Sequence, residues 1–158
     1  MSLQLALKLG LGGHRKVGGE PYVPPVELPD MILVYAIPAP NTDIELAIQA
    51  NSTWFGSGQS VVIDWGDGSA VETVSAASDH TGYVGHTYAS AGTYTVKISG
   101  SMTMYGRNEE DGIAGQELLT RVESFGKLGI TSFYYAFYQV TVQVCHYKEC
   151  EADRFVLY

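Results

Sequence analysis

Three groups of residues in this 158-residue chain are of types that can do chemistry. Cys145 and Cys150 are spaced C-x4-C with His146 beside the first, a set that could bind a metal, close a disulfide or remain as two thiols. A structural zinc site takes four ligands, usually as two closely spaced pairs, and the sequence holds no second pair. The disulfide and the free thiols stay open as alternatives, to be decided by compartment. Asp64 and Asp67 flank Trp65 and Gly66, and Glu109-Glu110-Asp111 is the one dense acidic run. Calcium takes several such oxygens at once. Asp64 alternates with Trp65 and so points to the opposite face of a strand, which leaves Asp67 as a turn cap and the other acids as solvated surface. No metal site and no cofactor are expected. The third group is aromatic: Trp54 and Phe55 in a polar, glycine-rich loop, Tyr134 and Tyr135 near the end, and Tyr83 and Tyr138. Such rings can stack on sugars or dock a protein, and Trp54, Phe55, Tyr134 and Tyr135 are the candidate ligand contacts. For Trp54 and Phe55 the favoured alternative is that they fold back and close the end of the core. The chain has no Gly-x-Ser-x-Gly elbow, phosphate loop or HExxH motif, and its four histidines lie in dissimilar contexts, so the reading is not an enzyme.

The elements that would position these residues are strands. Val61, Ile63 and Trp65 alternate with Val62 and Asp64, and Tyr94, Val96 and Ile98 alternate with Thr93, Thr95 and Lys97. That period buries one face of a strand. Gly66-Asp67-Gly68 ends the first of them with the dipeptide that a tight hairpin favours. Met31 to Ile37 is a further strand-like run, broken by Pro38 and Pro40, and Ile44, Leu46 and Ile48 alternate in the next. Val140, Val142 and Val144 read as a closing strand. With 18 Gly, 11 Tyr and only 16% charged residues, the composition suits an all-β protein with one main core.

The motifs Ile63-Asp64-Trp65-Gly66-Asp67-Gly68, His86-Thr87-Tyr88 and Gly92-Thr93-Tyr94-Thr95-Val96-Lys97-Ile98 together resemble a polycystic kidney disease (PKD) domain. The resemblance implies an Ig-like β-sandwich used as a spacer, adhesion or assembly module, with Asp64, Trp65, Asp67, His86, Tyr88 and Tyr94 as structural motif residues. In Ig-like folds a tyrosine placed like Tyr94 hydrogen-bonds back to the preceding corner. Leu119 to Phe133, continuing to Phe137, resembles one unit of the BspA-type leucine-rich repeats found in bacterial surface and phage-encoded proteins. Repeat units bury their apolar faces on neighbours, so a single unit must pack on the sandwich or on another chain.

Ahead of the sandwich, Leu3, Leu5, Leu7, Leu9 and Leu11 fall on one face of an extended strand, whereas a helix would scatter them. A Gly- and Pro-rich stretch detaches this segment. It reads as an arm that adds to a sheet edge or lies in an apolar groove of another subunit, with a loose tail or a strand folded back on its own sandwich as the alternatives. The expected organisation is therefore 1–30 extended arm and linker, 31–101 sandwich, and 102–158 a small appended segment with one repeat-like unit and a closing strand.

The formal charge of −8 opposes nucleic acid and anionic membrane surfaces. No run reaches the roughly 18 apolar residues of a membrane span. Residues 1–11 lack the basic start and the small-residue cleavage site of a secretory signal. With the resemblance, these features lead to a virion structural protein of a tailed phage: a capsid decoration, or a neck, tail or fibre component. Its partners would be other virion proteins and further copies of itself in an oligomer. The alternative is a carbohydrate-binding or adhesion module on an extracellular or bacterial surface, contacting a cell-surface glycan.

Overall fold

The computed structural model describes residues 30–50, 54–78, 82–107, 112–137, 140–144 and 154–156. Within them the chain runs β1 (Met31–Ile37), β2 (Thr42–Gln49), β3 (Ser60–Asp64), β4 (Glu72–Ser75), β5 (Tyr83–Tyr88), β6 (Gly92–Gly100), a 3-10 turn (Gln116–Leu118), β7 (Leu119–Phe125), β8 (Thr141–Val144) and β9 (Arg154–Val156). The fold is all-β and sandwich-like. One sheet has the order β4-β3-β6-β1-β7-β8-β9, and β2 and β5 form the second. Among the described strands only β7 and β8 pair in parallel, and the other pairs are antiparallel.

The alternation of apolar residues sets which face is inside. Leu33, Tyr35 and Ile37 of β1, Val61 and Ile63 of β3, and Val96 and Ile98 of β6 are buried, while Asp64 and Lys97 point out. From the second sheet Ile44, Leu46 and Ile48 of β2 and Val84 and Tyr88 of β5 join the same core. β1 lies between β6 and β7, which explains its nearly continuous apolar run: Val34 is also only 3% exposed.

Described residues after 101 share this core. Met102, Tyr105, Leu119, Val122, Leu128, Ala136, Phe137 and Val140 are buried members of the cluster that contains β1 and β2. β7 is bent onto β1 by two register shifts, at Ile32/Leu33 and Val34/Tyr35. These leave Glu123 and Thr120 as extra residues, and Thr120 Oγ1 donates to the Val34 carbonyl at 3.0 Å, satisfying a group near the disturbed ladder. The apolar positions of the repeat-like segment thus meet the sandwich itself.

The β3–β4 connection is longer than the tight hairpin expected from Asp67-Gly68. It spans residues 65–71, because Trp65 stays buried and keeps the chain against the core beyond the strand end. Gly66 is the residue this path requires. Its φ is +76°, and a Cβ there would lie 2.4 Å from the Thr95 carbonyl oxygen.

Candidate functional site

Two side-chain constellations stand out, one at the β3–β4 turn and one at the turn before β8. In the first, β5 carries His86 alongside the turn. Its imidazole stacks on the Trp65 indole at 4.8 Å between centroids and 11° between planes, and meets Tyr88 edge-on at 4.8 Å and 86°. Tyr88 stacks in turn on Tyr94 at 4.3 Å and 24°. His86 Nε2 lies 2.8 Å from Asp67 Oδ2, and Asp67 Oδ1 accepts the Ser69 N–H at 3.0 Å. Hydrogen bonds from Ser69 first, and from His86 second, lower the Asp67 carboxyl from 3.8 to about 2. Asp64 Oδ1 accepts the Gly66 N–H at 2.9 Å.

Two hydroxyls complete the network. Tyr88 Oη donates to the buried Trp65 carbonyl at 2.9 Å, and burial pushes its own ionisation far up. Tyr94 Oη donates to the Ser90 carbonyl at 3.0 Å, closing the corner between β5 and β6. Every polar group described here points at the protein's own turns. Both aromatic neighbours cover the imidazole, and its Nε2 is engaged by a carboxylate. Because β3 belongs to the large sheet and β5 to the small one, the chemistry this set performs is to pin the two sheets together at one end. Among the described residues no group of three or more His, Cys, Asp or Glu could hold a metal ion, and no helix is long and apolar enough to cross a membrane.

The second constellation presents rings outward. Residues 103–107 run beside 131–135 in a short ladder: the Thr131 N–H donates to the Thr103 carbonyl at 2.8 Å, the Tyr105 N–H to Ser132 at 3.1 Å and the Arg107 N–H to Tyr134 at 2.8 Å. The ladder is tied to β2 by the Gly106 N–H, 2.8 Å from the Ala47 carbonyl. Gly106 must be glycine here, since a Cβ would sit 2.2 Å from the Tyr134 carbonyl oxygen. Beneath the turn, Tyr105, Phe125, Phe133 and Phe137 form an aromatic cluster with centroids 5.4 to 6.3 Å apart. Tyr105 is itself fixed through a hydrogen bond to Tyr35, and burial raises the ionisation of both hydroxyls.

Within that cluster Phe133 is 41% exposed and the adjacent Tyr134 50%; with Val71 they are the exposed large hydrophobic residues among those described. Tyr135 holds φ at +49°, a left-handed conformation that costs a bulky residue roughly 1–2 kcal/mol. Its ring packs edge-to-face with Tyr134 at 4.6 Å and 81°. Arg107 fixes this geometry. It is 2% exposed, the one buried charged side chain among the described residues, and its Nε donates to the Tyr135 carbonyl at 3.1 Å.

The structure therefore separates the residues that sequence reasoning grouped as candidate contacts. Trp54 and Phe55 are 2% exposed each and belong to the core, so neither is available to a ligand. The physical reason is that the Trp54 carbonyl accepts the Thr103 N–H at 2.9 Å, drawing the loop under residues 102–104. Tyr134 and Tyr135 come together on one turn. Sequence reasoning missed Phe133, Gly106 and Arg107; the available signal was three consecutive aromatics, which no alternating strand can bury together. Leu3, Leu5, Leu7, Leu9, Leu11, Tyr138, Glu109, Glu110, Asp111, Cys145 and Cys150 lie outside the described residues. Comparison with protein-family models, with curated proteins and with solved structures finds no match.

Proposed function

We infer that this chain is a structural and assembly protein of a virion, either a decoration of the head or a component of the neck, tail or fibre. It uses the sandwich as a rigid body and residues 1–30 as the element that joins other virion proteins or further copies of itself. The observation that carries this reading is the leucine alternation at Leu3, Leu5, Leu7, Leu9 and Leu11, an apolar stripe that seeks a sheet edge or groove. The resemblance of the Asp64-Trp65-Gly66-Asp67-Gly68 and His86-Thr87-Tyr88 motifs to PKD spacer modules supports it. So does the network around His86, whose groups are engaged in holding the fold. Deleting residues 1–25 is expected to leave the sandwich folded, with an unchanged β-sheet circular dichroism spectrum, and to abolish incorporation into particles. Normal incorporation of the truncated chain would refute the reading.

A second reading is favoured by a separate observation. Phe133 and Tyr134 expose aromatic surface on a turn braced by Tyr135, as a carbohydrate-binding or adhesion module would. The two readings place binding in different parts of the chain and can be tested independently.

A further inference from the structure

The geometry points to Tyr134 as a stacking platform for one uncharged pyranose ring of a surface polysaccharide, with Arg107 as the positioning residue that presets it. This inference rests on the second reading above and assigns that site its ligand class and its residues.

Three observations converge on it. The first is exposure with order. Tyr134 is half-exposed, yet its backbone carbonyl accepts from the Arg107 N–H and its ring is braced edge-to-face by Tyr135. A ring held in this way loses little freedom on binding, which is where a weak, shallow saccharide contact gains affinity. The second is the placement of Arg107. Burying a guanidinium is unfavourable unless its donors find acceptors. Here the Nε–H is spent on the carbonyl of Tyr135, the residue that holds the strained left-handed conformation, so one donor of the buried side chain braces an exposed aromatic turn. The third is charge. Thr131-Ser132-Phe133-Tyr134-Tyr135-Ala136-Phe137 contains no acid, lysine, arginine or histidine, and the whole chain carries a formal charge of −8. An anionic ligand would be repelled by the whole-molecule field and would meet no cation on this segment, whereas an uncharged sugar needs only an aromatic face and hydroxyl partners.

The test uses the full chain on an array of uncharged hexose and N-acetylhexosamine oligosaccharides, with sialylated and sulfated glycans alongside, followed by calorimetry on the strongest neutral hit. The expected result is binding to neutral glycans only, weakened about tenfold or more by Tyr134→Ala and preserved in Tyr134→Phe. Because Tyr134 is 50% exposed, its replacement leaves the melting temperature close to that of the parent. Arg107→Lys, which keeps the charge but loses the planar Nε donor, is expected to weaken the same glycan at least threefold while Val71→Ser, at an exposed apolar site on another loop, leaves it unchanged. Neutral-glycan binding that survives Tyr134→Ala overturns this inference and leaves the carbohydrate reading standing. Binding confined to charged glycans likewise overturns this inference alone, and no binding to any glycan overturns both.

Discussion

Replacing His86 by alanine removes two ring contacts and one hydrogen bond, and the structure allows the cost to be worked out. The stack on Trp65 and the edge contact with Tyr88 are each worth about 0.5–1.5 kcal/mol. The hydrogen bond to Asp67 involves side chains that keep 17% of their surface in water, so its contribution is discounted to about 1 kcal/mol. The sum is a loss of about 2–4 kcal/mol. Asp67→Asn leaves the rings in place and should cost about 1 kcal/mol, and the double variant should be less destabilised than the two singles added, by about 1 kcal/mol of coupling. Urea unfolding followed by tryptophan fluorescence measures all three, provided the slope with denaturant stays constant. The pH dependence has a definite sign. The folded carboxyl of Asp67 is lowered from 3.8 to about 2, so its contribution is fully present above about pH 4 and disappears as pH falls through the folded value. A His86→Ala cost below about 0.5 kcal/mol, typical of an ordinary surface substitution, would refute the claim that this histidine pins the sheets.

Two further outcomes follow from the buried hydroxyls and from the ladder beside the aromatic turn. Tyr35, Tyr88 and Tyr105 all have raised ionisation because they are buried, so the stability they lend is complete below about pH 10 and falls above it, by up to about 1.4 kcal/mol per pH unit for each. Phenolate absorbance should show these three resisting ionisation until the β-sheet spectrum collapses; complete titration of a still-folded protein would contradict their burial. Gly106→Ala should destabilise by about 1–3 kcal/mol through the clash with the Tyr134 carbonyl and speed hydrogen exchange at the Arg107 amide, whereas Gly112→Ala, with open space around it, should change neither. Equal effects from the two substitutions would refute the close approach.

The strands were legible where one face is buried and the other wet. Ile63 and Asp64, or Ile98 and Lys97, declare their faces by type, and Tyr94 declares its corner by its place after Gly92-Thr93. Strand partners are less visible. Nothing in the alternation of Leu119 to Phe125 says that it pairs with β1, because that neighbour lies more than eighty residues away and is chosen by shared core volume. The aromatic turn was half legible. Tyr134 and Tyr135 stood out as types, but Trp54 and Phe55 have the same chemistry, and it is their burial in the structure that sets them in the core. Arg107 carried no signal, since a buried arginine reads from sequence like any surface cation. Its role depends on the left-handed Tyr135, a backbone state that sequence associates with glycine or asparagine.

The most direct test of the assembly reading is the solution mass, by light scattering on a size-exclusion column, of the full chain and of a version lacking residues 1–25. A defined oligomer is expected for the full chain and a folded monomer for the truncated one. An oligomer of the same size in both would contradict the arm as the assembly element.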